Sequence, residues 1–288
     1  MATTGETQSQ VQQANQAQPL TTDEAYLERL ETTIGFAEQT VTDAVTAYRT
    51  PSIESEKKTS LALSVVIPVY NERRTIAEIV RRVQQVGVHH EIVIVDDFSL
   101  DGTREVLLEL AQQKGIRVLM HGYNRGKGAA LRTAFAELRG DAVLIQDADL
   151  EYDPRDYLRL LAPLEQGAAD VVYGSRFLEN ARQDPSRLHR FGNWLLTWLS
   201  NLVTGQQLTD METCYKVFRR DVLQSIKIEQ DRFGFEPEIT AKVSHLGYQI
   251  QEVPIRYNSR GYEEGKKIGI KDGLNALWCI VRYGMFGR

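Results

Sequence analysis

Between Leu61 and Tyr257 the chain repeats one pattern: a short β-branched and aliphatic run, a polar cluster, then a stretch whose apolar positions recur at helical spacing. A short continuous apolar run reads as a strand buried on both faces, and the periodic stretch reads as an amphipathic helix. The runs are Ala62 to Pro68, Glu91 to Val95, Ile116 to Met120, Val143 to Ile145 and Asp170 to Tyr173. Ile76, Ile79, Val80, Val83 and Val86 form one helical face closed by Gly87, and further helices are expected over Gly102 to Gln113, over Ala129 to Leu138 and after Asp153-Pro154. Thr75-Ile76-Ala77-Glu78 has the spacing of a capping box, and Asp153 suits a cap before a first-turn proline. Strands alternating with helices imply the α/β class: a mostly parallel, Rossmann-like sheet with helices on both faces.

Beyond Phe177 the alternation loosens. Leu188 to Val203 reads as an apolar helix carrying Trp194 and Trp198, Glu236 to Leu246 as a helix, Gln249 to Tyr257 as a strand, and Leu274 to Met285 as a last apolar helix. The two apolar helices suit packed core, a contact between copies, or a position in a bilayer interface. Residues 1–20 are rich in Gln, Thr and Ala and bury too little to offset ordering entropy, so a disordered tail is expected. In residues 21–60, Tyr26, Leu27, Leu30, Ile34, Val41, Val45 and Tyr48 predict an amphipathic helix ended by Thr50-Pro51, then a polar linker. This helix either docks on the domain that follows or mediates self-association. The expected organisation is therefore 1–20, 21–60, a domain over 61–270, and a C-terminal apolar helix over 271–288.

Composition narrows the partners. With 42% hydrophobic residues and a net charge of -5, the chain is an ordinary globular protein with no basic excess for nucleic acid. No apolar run reaches the roughly 18 residues of a membrane span, and no secretory leader pattern is present. Cys214 and Cys279 lack metal-ligand spacing and suit a reducing cytoplasm.

In open sheets of this kind ligands bind beyond the carboxyl ends of the strands. Tyr70 to Glu72, Asp96-Asp97, Asp147 to Glu151 and Arg176 all fall there. Alternation along a strand aims Asp147 and Asp149 to one side, and such carboxylates suit a hard divalent ion completed by phosphate oxygens. The acidic series from Asp147 to Asp153 is not a helix-loop-helix calcium site, because Tyr152 and Leu158 stand where that loop needs Gly and Glu. Gly122 to Gly128 is one residue short of a P-loop and has Gly128 at the magnesium-binding Ser or Thr position. It is either an anion cradle at a helix start or a tight turn.

The succession Ser64-Val65-Val66-Ile67-Pro68-Val69-Tyr70-Asn71-Glu72, Asp96-Asp97-Phe98-Ser99-Leu100-Asp101-Gly102, Asn124-Arg125-Gly126-Lys127-Gly128, Asp147-Ala148-Asp149 and Gly174-Ser175-Arg176 resembles the family 2 glycosyltransferases of the GT-A fold. The resemblance is strongest to the dolichol-phosphate mannose synthase and polyprenyl-phosphate glycosyltransferase branch, and covers about residues 61–270. It implies a metal-dependent, inverting enzyme that moves a hexose from GDP-mannose or UDP-glucose to polyprenyl phosphate. A soluble sugar or small phosphorylated acceptor is the alternative, and a non-catalytic nucleotide-sugar scaffold the rival from another class. By position, Pro68, Tyr70 and Glu72 line the nucleotide pocket, with Val95 and Asp97 at the base and ribose and Lys127 in the glycine-rich turn. Asp147, Ala148, Asp149 and Glu151 form the site of a Mg2+ or Mn2+ ion, with Asp147, Asp149 and Glu151 as its ligands. Arg176 meets phosphate, and Arg260, Lys266 and Lys267 belong to a late basic loop closing over the diphosphate. Asp149, Arg176, Asp210 and Glu236 are the catalytic candidates, with Asp210, Glu236 and Glu238 as bases if the acceptor is a hydroxyl. Cys214, Tyr215 and Lys216 depart from the branch's usual Gly-Phe-Arg, which bears on the acceptor. The expected location is the cytoplasm, peripheral at the inner membrane face.

Overall fold

A computed structural model of the chain describes residues 59–178, 187–259 and 270–287, with side chains of the helices that begin at Arg187 and Ile270 described from Arg190 and from Asp272 onward. The expected N-terminal tail and most of the segment 21–60 lie outside the described residues, as do Arg260, Lys266 and Lys267.

The apolar runs become strands β1 (Leu63–Val69), β2 (His89–Asp96), β3 (Ile116–Met120), β4 (Ala142–Ile145) and β5 (Val171–Ser175), joined by β6 (Lys216–Arg219) and β7 (Ile250–Pro254). They form one sheet in the order β3-β2-β1-β4-β6-β5-β7. β1 runs parallel to β2 and β4, β2 to β3, and β5 to β7, while β6 is antiparallel to both its neighbours. The helices are α1 (Ile76–Val86), α2 (Thr103–Leu110), α3 (Lys127–Phe135), α4 (Tyr157–Glu165), α5 (Arg187–Thr204), α6 (Arg220–Gln224), α7 (Phe235–His245) and α8 (Ile270–Phe286). The mostly parallel sheet read from the sequence is thus observed. Its central strands are apolar on both faces, with Val65, Val66, Ile92 to Val95 and Val143 to Ile145 buried, because helices cover both sides.

One local expectation is corrected, and one strand is added. The hydroxyl of Thr75 donates to Glu72 and makes no cap bond to the α1 backbone, while Glu78 turns to Arg81 and Arg82. The capping box is replaced by a turn closed on Glu72. The segment before Arg220, left without a strand by the sequence pattern, contains β6. Its register on β5 and β4 pairs Val172 and Leu144 with Val217.

α5 and α8 each pack one face on the domain, α5 with Leu196, Leu199 and Val203 against the core, and carry large apolar side chains on the opposite face as well. Toward the interior α5 presents Thr197 and Ser200, whereas Phe191, Trp194, Trp198 and Leu202 face outward. α8 buries Ala276, Cys279, Ile280 and Tyr283 and exposes Leu274, Trp278, Met285 and Phe286. The two helices pack together where a Cβ on Gly284 would run into Val203, so glycine permits the close crossing.

Candidate active site at the carboxyl edge of the sheet

The ends of β1, β2, β4 and β5 deliver their polar clusters to one edge, as the sequence pattern implied. The first two turns are stitched together. The Asn71 amide donates to Ser99 Oγ at 2.9 Å, the Leu100 amide to Asn71 Oδ1 at 2.8 Å, and the Glu72 amide to Thr103 Oγ1 at 3.0 Å. Asn71 and Phe98 both adopt positive φ, at 54° and 68°, a conformation that costs energy in non-glycine residues and clusters at functional sites. Pro68 and Val95, both expected at the nucleotide, are cross-strand partners. Val95 itself is a core residue with its side chain fully buried.

Asp97, expected at the base and ribose, is buried and occupied. Its carboxylate accepts the amides of Arg125 at 2.8 Å and Gly126 at 2.6 Å and lies 2.8 Å from His121 Nδ1. Three partners make it the anchor of the glycine-rich turn. That turn resolves the choice between cradle and tight packing. A Cβ on Gly126 or Gly128 would strike the backbone of Gln230 and Asp231, and the Ala129 amide in the first turn of α3 is bound by the Asp231 carbonyl at 3.0 Å. The glycines serve close approach of two backbones.

Lys127, at the start of α3, is the electrostatic centre of the site. Its ammonium lies 3.0 Å from Asp147 Oδ1 and 3.1 Å from Glu236 Oε1. Burial works against its charge, but the two carboxylates outweigh burial and hold the ammonium well above the usual lysine range. Asp147 and Asp149 follow β4 with Ala148 buried between them. The loop beyond is fixed locally: Asp149 Oδ1 accepts the Glu151 amide at 3.1 Å, and Glu151 Oε2 accepts the Tyr257 hydroxyl at 3.0 Å. The Asn258 amide also reaches the Glu151 carbonyl at 2.8 Å, so Glu151 anchors the chain that continues from β7. Beneath, Gln146 Oε1 accepts the hydroxyls of Tyr157 and Tyr215, each at 2.7 Å. Among the described residues no three His, Cys, Asp or Glu side chains gather closely enough to hold a metal ion by themselves. Asp147 and Asp149 nevertheless offer hard oxygen donors on a short loop, the chemistry a Mg2+ or Mn2+ ion takes when ligand oxygens complete its shell.

Arg176, after β5, forms a forked pair with Asp210: Nε to Oδ2 at 2.7 Å and Nη2 to Oδ1 at 2.7 Å, with its own amide 3.1 Å from Oδ2. Its guanidinium lies 5.1 Å from the centre of the Tyr257 ring and 5.5 Å from that of Phe177. Burial opposes the charge, while Asp210 holds the arginine well above its ordinary range. Glu252 completes the arrangement by accepting the Asp210 amide at 2.9 Å. Glu238 is structural: it accepts the amides of Glu229 and Gln230 and the ammonium of Lys242.

The departures from the branch pattern lie below this edge. Lys216 is fully buried, donates to the carbonyls of Met211 (2.9 Å) and Thr213, and sits 4.4 Å over the Tyr173 ring. The Cys214 amide donates to the Tyr152 hydroxyl at 3.1 Å. These residues shape the turn carrying Asp210. Sequence reasoning missed two contributors here. Tyr257 carries a signal, a polar-tipped aromatic closing an apolar run; Asn193, whose Oδ1 is 3.5 Å from Arg176 Nη2, stands out as an amide among aromatic residues.

The glycosyl transferase family 2 model matches residues 64–227. The undecaprenyl-phosphate 4-deoxy-4-formamido-L-arabinose transferase of Edwardsiella ictaluri is 32% identical over 233 residues, covering 79% of this chain and 69% of the relative. Glycosyltransferase AglJ of Haloferax volcanii is 31% identical over 200 residues, covering 69% of this chain and 64% of the relative. Among solved structures, glucosyl-3-phosphoglycerate synthase from Mycobacterium tuberculosis, in complex with Mn2+, UDP and phosphoglyceric acid, superposes with a TM-score of 0.60 at 19% identity over 78% of this chain and 79% of that one. That last likeness concerns the fold. With more than half its length matched by the family model, the chain is a glycosyltransferase and belongs to glycosyl transferase family 2.

Proposed function

We propose that this enzyme moves a hexose from a nucleotide sugar, GDP-mannose or UDP-glucose, to polyprenyl phosphate at a membrane surface. The observation that carries the acceptor is the outward aromatic face of α5 and α8. Phe191 and Trp194 flank Asn193, the residue in contact with Arg176, so an apolar surface runs up to a cation at the edge of the sheet. An amphiphile with a phosphate head and a long apolar tail matches that sequence of surfaces, and aromatic rings beside arginines suit an interface between headgroups and acyl chains. Arg190 and Arg282 lie on the same two helices. Among the described residues no helix is long and apolar enough to cross a membrane.

The named relatives support this reading, one carrying undecaprenyl phosphate in its name. Asp147 and Asp149 would hold the Mg2+ or Mn2+ ion, which supplies positive charge to the departing nucleoside diphosphate. Lys127 fixes the Asp147 carboxylate and adds a second positive charge at the same edge, a preorganised electrostatic contribution. Arg176, held in one orientation by Asp210, meets the acceptor phosphate. A phosphate monoester with a second pKa of about 6 already carries a nucleophilic oxyanion near neutrality, so transfer needs no proton acceptor. Asp210 and Glu236 accordingly act as counter-charges that orient Arg176 and Lys127. Asp149→Asn should abolish transfer while leaving the circular dichroism spectrum and melting temperature near wild type. Unchanged turnover in that variant contradicts the assignment of the ion site.

A further inference from the structure

Around the turn from Asp210 to Lys216 each of three positive charges already has partners. Asp210 holds Arg176, Glu236 and Asp147 hold Lys127, and Lys216 is spent on two backbone carbonyls and the Tyr173 ring. One carboxyl remains. Glu212 Oε1 is enclosed and, among the described residues, has no hydrogen-bond partner; the hydroxyl of its neighbour Thr213, a fully buried residue, has none either. Buried polar groups are nearly always satisfied, so two adjacent orphans in one turn point to a ligand that completes them. The titratable groups facing Glu212 are Glu236 of α7, Lys216 of β6, Arg176 after β5, Asp210 of its own turn and Cys279 of α8. Burial, then the charge of Glu236, push the Glu212 carboxyl up to about 8, with Asp210 adding to the shift against the opposing pull of Lys216 and Arg176.

We propose that Glu212 in its neutral acid form, together with the Thr213 hydroxyl, donates hydrogen bonds to the oxygens of an anionic acceptor group, and so selects a phosphate over a neutral hydroxyl. The identity of the anion rests on the polyprenyl-phosphate reading; the protonation of Glu212 does not. An ionised Glu212 would add a negative charge beside Asp210 and Glu236 and repel a phosphate. A neutral one supplies an O–H beside the Thr213 hydroxyl and adds no negative charge. This separates Glu212 from a general base, which must be ionised to take a proton from a hydroxyl.

Glu212→Gln distinguishes the two roles, because glutamine keeps the shape and a donor but cannot ionise. Transfer to polyprenyl phosphate at pH 7 is expected to stay within about threefold of wild type, and the loss of activity expected of wild type as pH rises past about 8 should be absent. A fall of roughly a hundredfold or more, the signature of a lost base, overturns the proposal, as does an unchanged alkaline decline. A second measurement needs no acceptor. A folded-state value raised above the ordinary 4.5 means the folded wild type holds an extra proton, whose stabilisation is fully present below 4.5 and is lost as pH climbs to about 8. The melting temperature of Glu212→Gln relative to wild type should therefore rise by roughly 10 °C between pH 5 and pH 9. A difference that stays constant over that range overturns the protonation of Glu212. If wild type transfers nothing to polyprenyl phosphate, the acceptor reading fails, and the melting series still decides the state of Glu212.

Discussion

Replacing Asp210 by Asn isolates the forked pair that fixes Arg176. The Asp210 carboxylate is fully buried and spends one oxygen on Nη2 and the other on both Nε and the Arg176 amide, all between 2.7 and 3.1 Å. Removing one member of a buried ion pair costs about 3–5 kcal/mol, because the remaining charge is left without compensation. Asparagine keeps one acceptor oxygen, and the Tyr257 and Phe177 rings still face the guanidinium, a cation–π contribution of roughly 1 kcal/mol. The expected loss is therefore ~2–4 kcal/mol. For a domain of this size each kcal/mol moves the melting temperature by about 2–4 °C, giving a drop of roughly 5–15 °C by scanning calorimetry. The cycle closed with Arg176→Met and the double variant should return a coupling of ~1–3 kcal/mol, since the two side chains share one network. A drop under about 2 °C with additive single effects would refute the claim that Asp210 is committed to Arg176 and reopen its candidacy as a base.

The glycine-rich turn and the aromatic face give two further tests. Gly126→Ala places a side chain at φ 98° against the Asp231 carbonyl and should cost about 2–4 kcal/mol in chemical denaturation, whereas Gly87→Ala, at φ 71° in open space, should cost only about 1–2 kcal/mol; equal costs would show that close packing on Gln230-Asp231 does not constrain the turn. Trp194 and Trp198 are 57% and 50% exposed, so if docking covers ~100 Å2 of each ring, every Trp→Ser change should weaken vesicle co-sedimentation roughly 50-fold. Binding unaffected by the double change would remove this face from the membrane contact.

The strand ends were legible because both parts of their signal are local: a short apolar run, then a polar cluster. Asp147, Asp149 and Arg176 could be placed at one edge from that pattern and the rule for open sheets alone. β6 was not legible, since a four-residue strand beginning with Lys216 and ending with Arg219 has no apolar periodicity, and the burial of Lys216 depends on carbonyls and a ring brought by the fold. Thr75 and Glu78 had the right spacing for a capping box, but Glu72, one turn earlier, competes for the threonine hydroxyl. The pairing of Lys127 with both Asp147 and Glu236 joins residues far apart in the chain, and only the packing of α3 against α7 and the β4 end brings them together. The outward aromatic faces of α5 and α8 read equally as core from sequence, because an apolar helix does not announce which side meets the protein.

The central claim is tested most directly by following labelled hexose from GDP-mannose and UDP-glucose, with Mg2+ or Mn2+, in parallel reactions containing polyprenyl phosphate in vesicles or phosphoglyceric acid in solution. The account predicts that label from one of these donors enters the lipid fraction, that chelating the divalent ion stops it, and that the soluble acceptor stays unlabelled. Label appearing on the soluble acceptor and not in the lipid would contradict it.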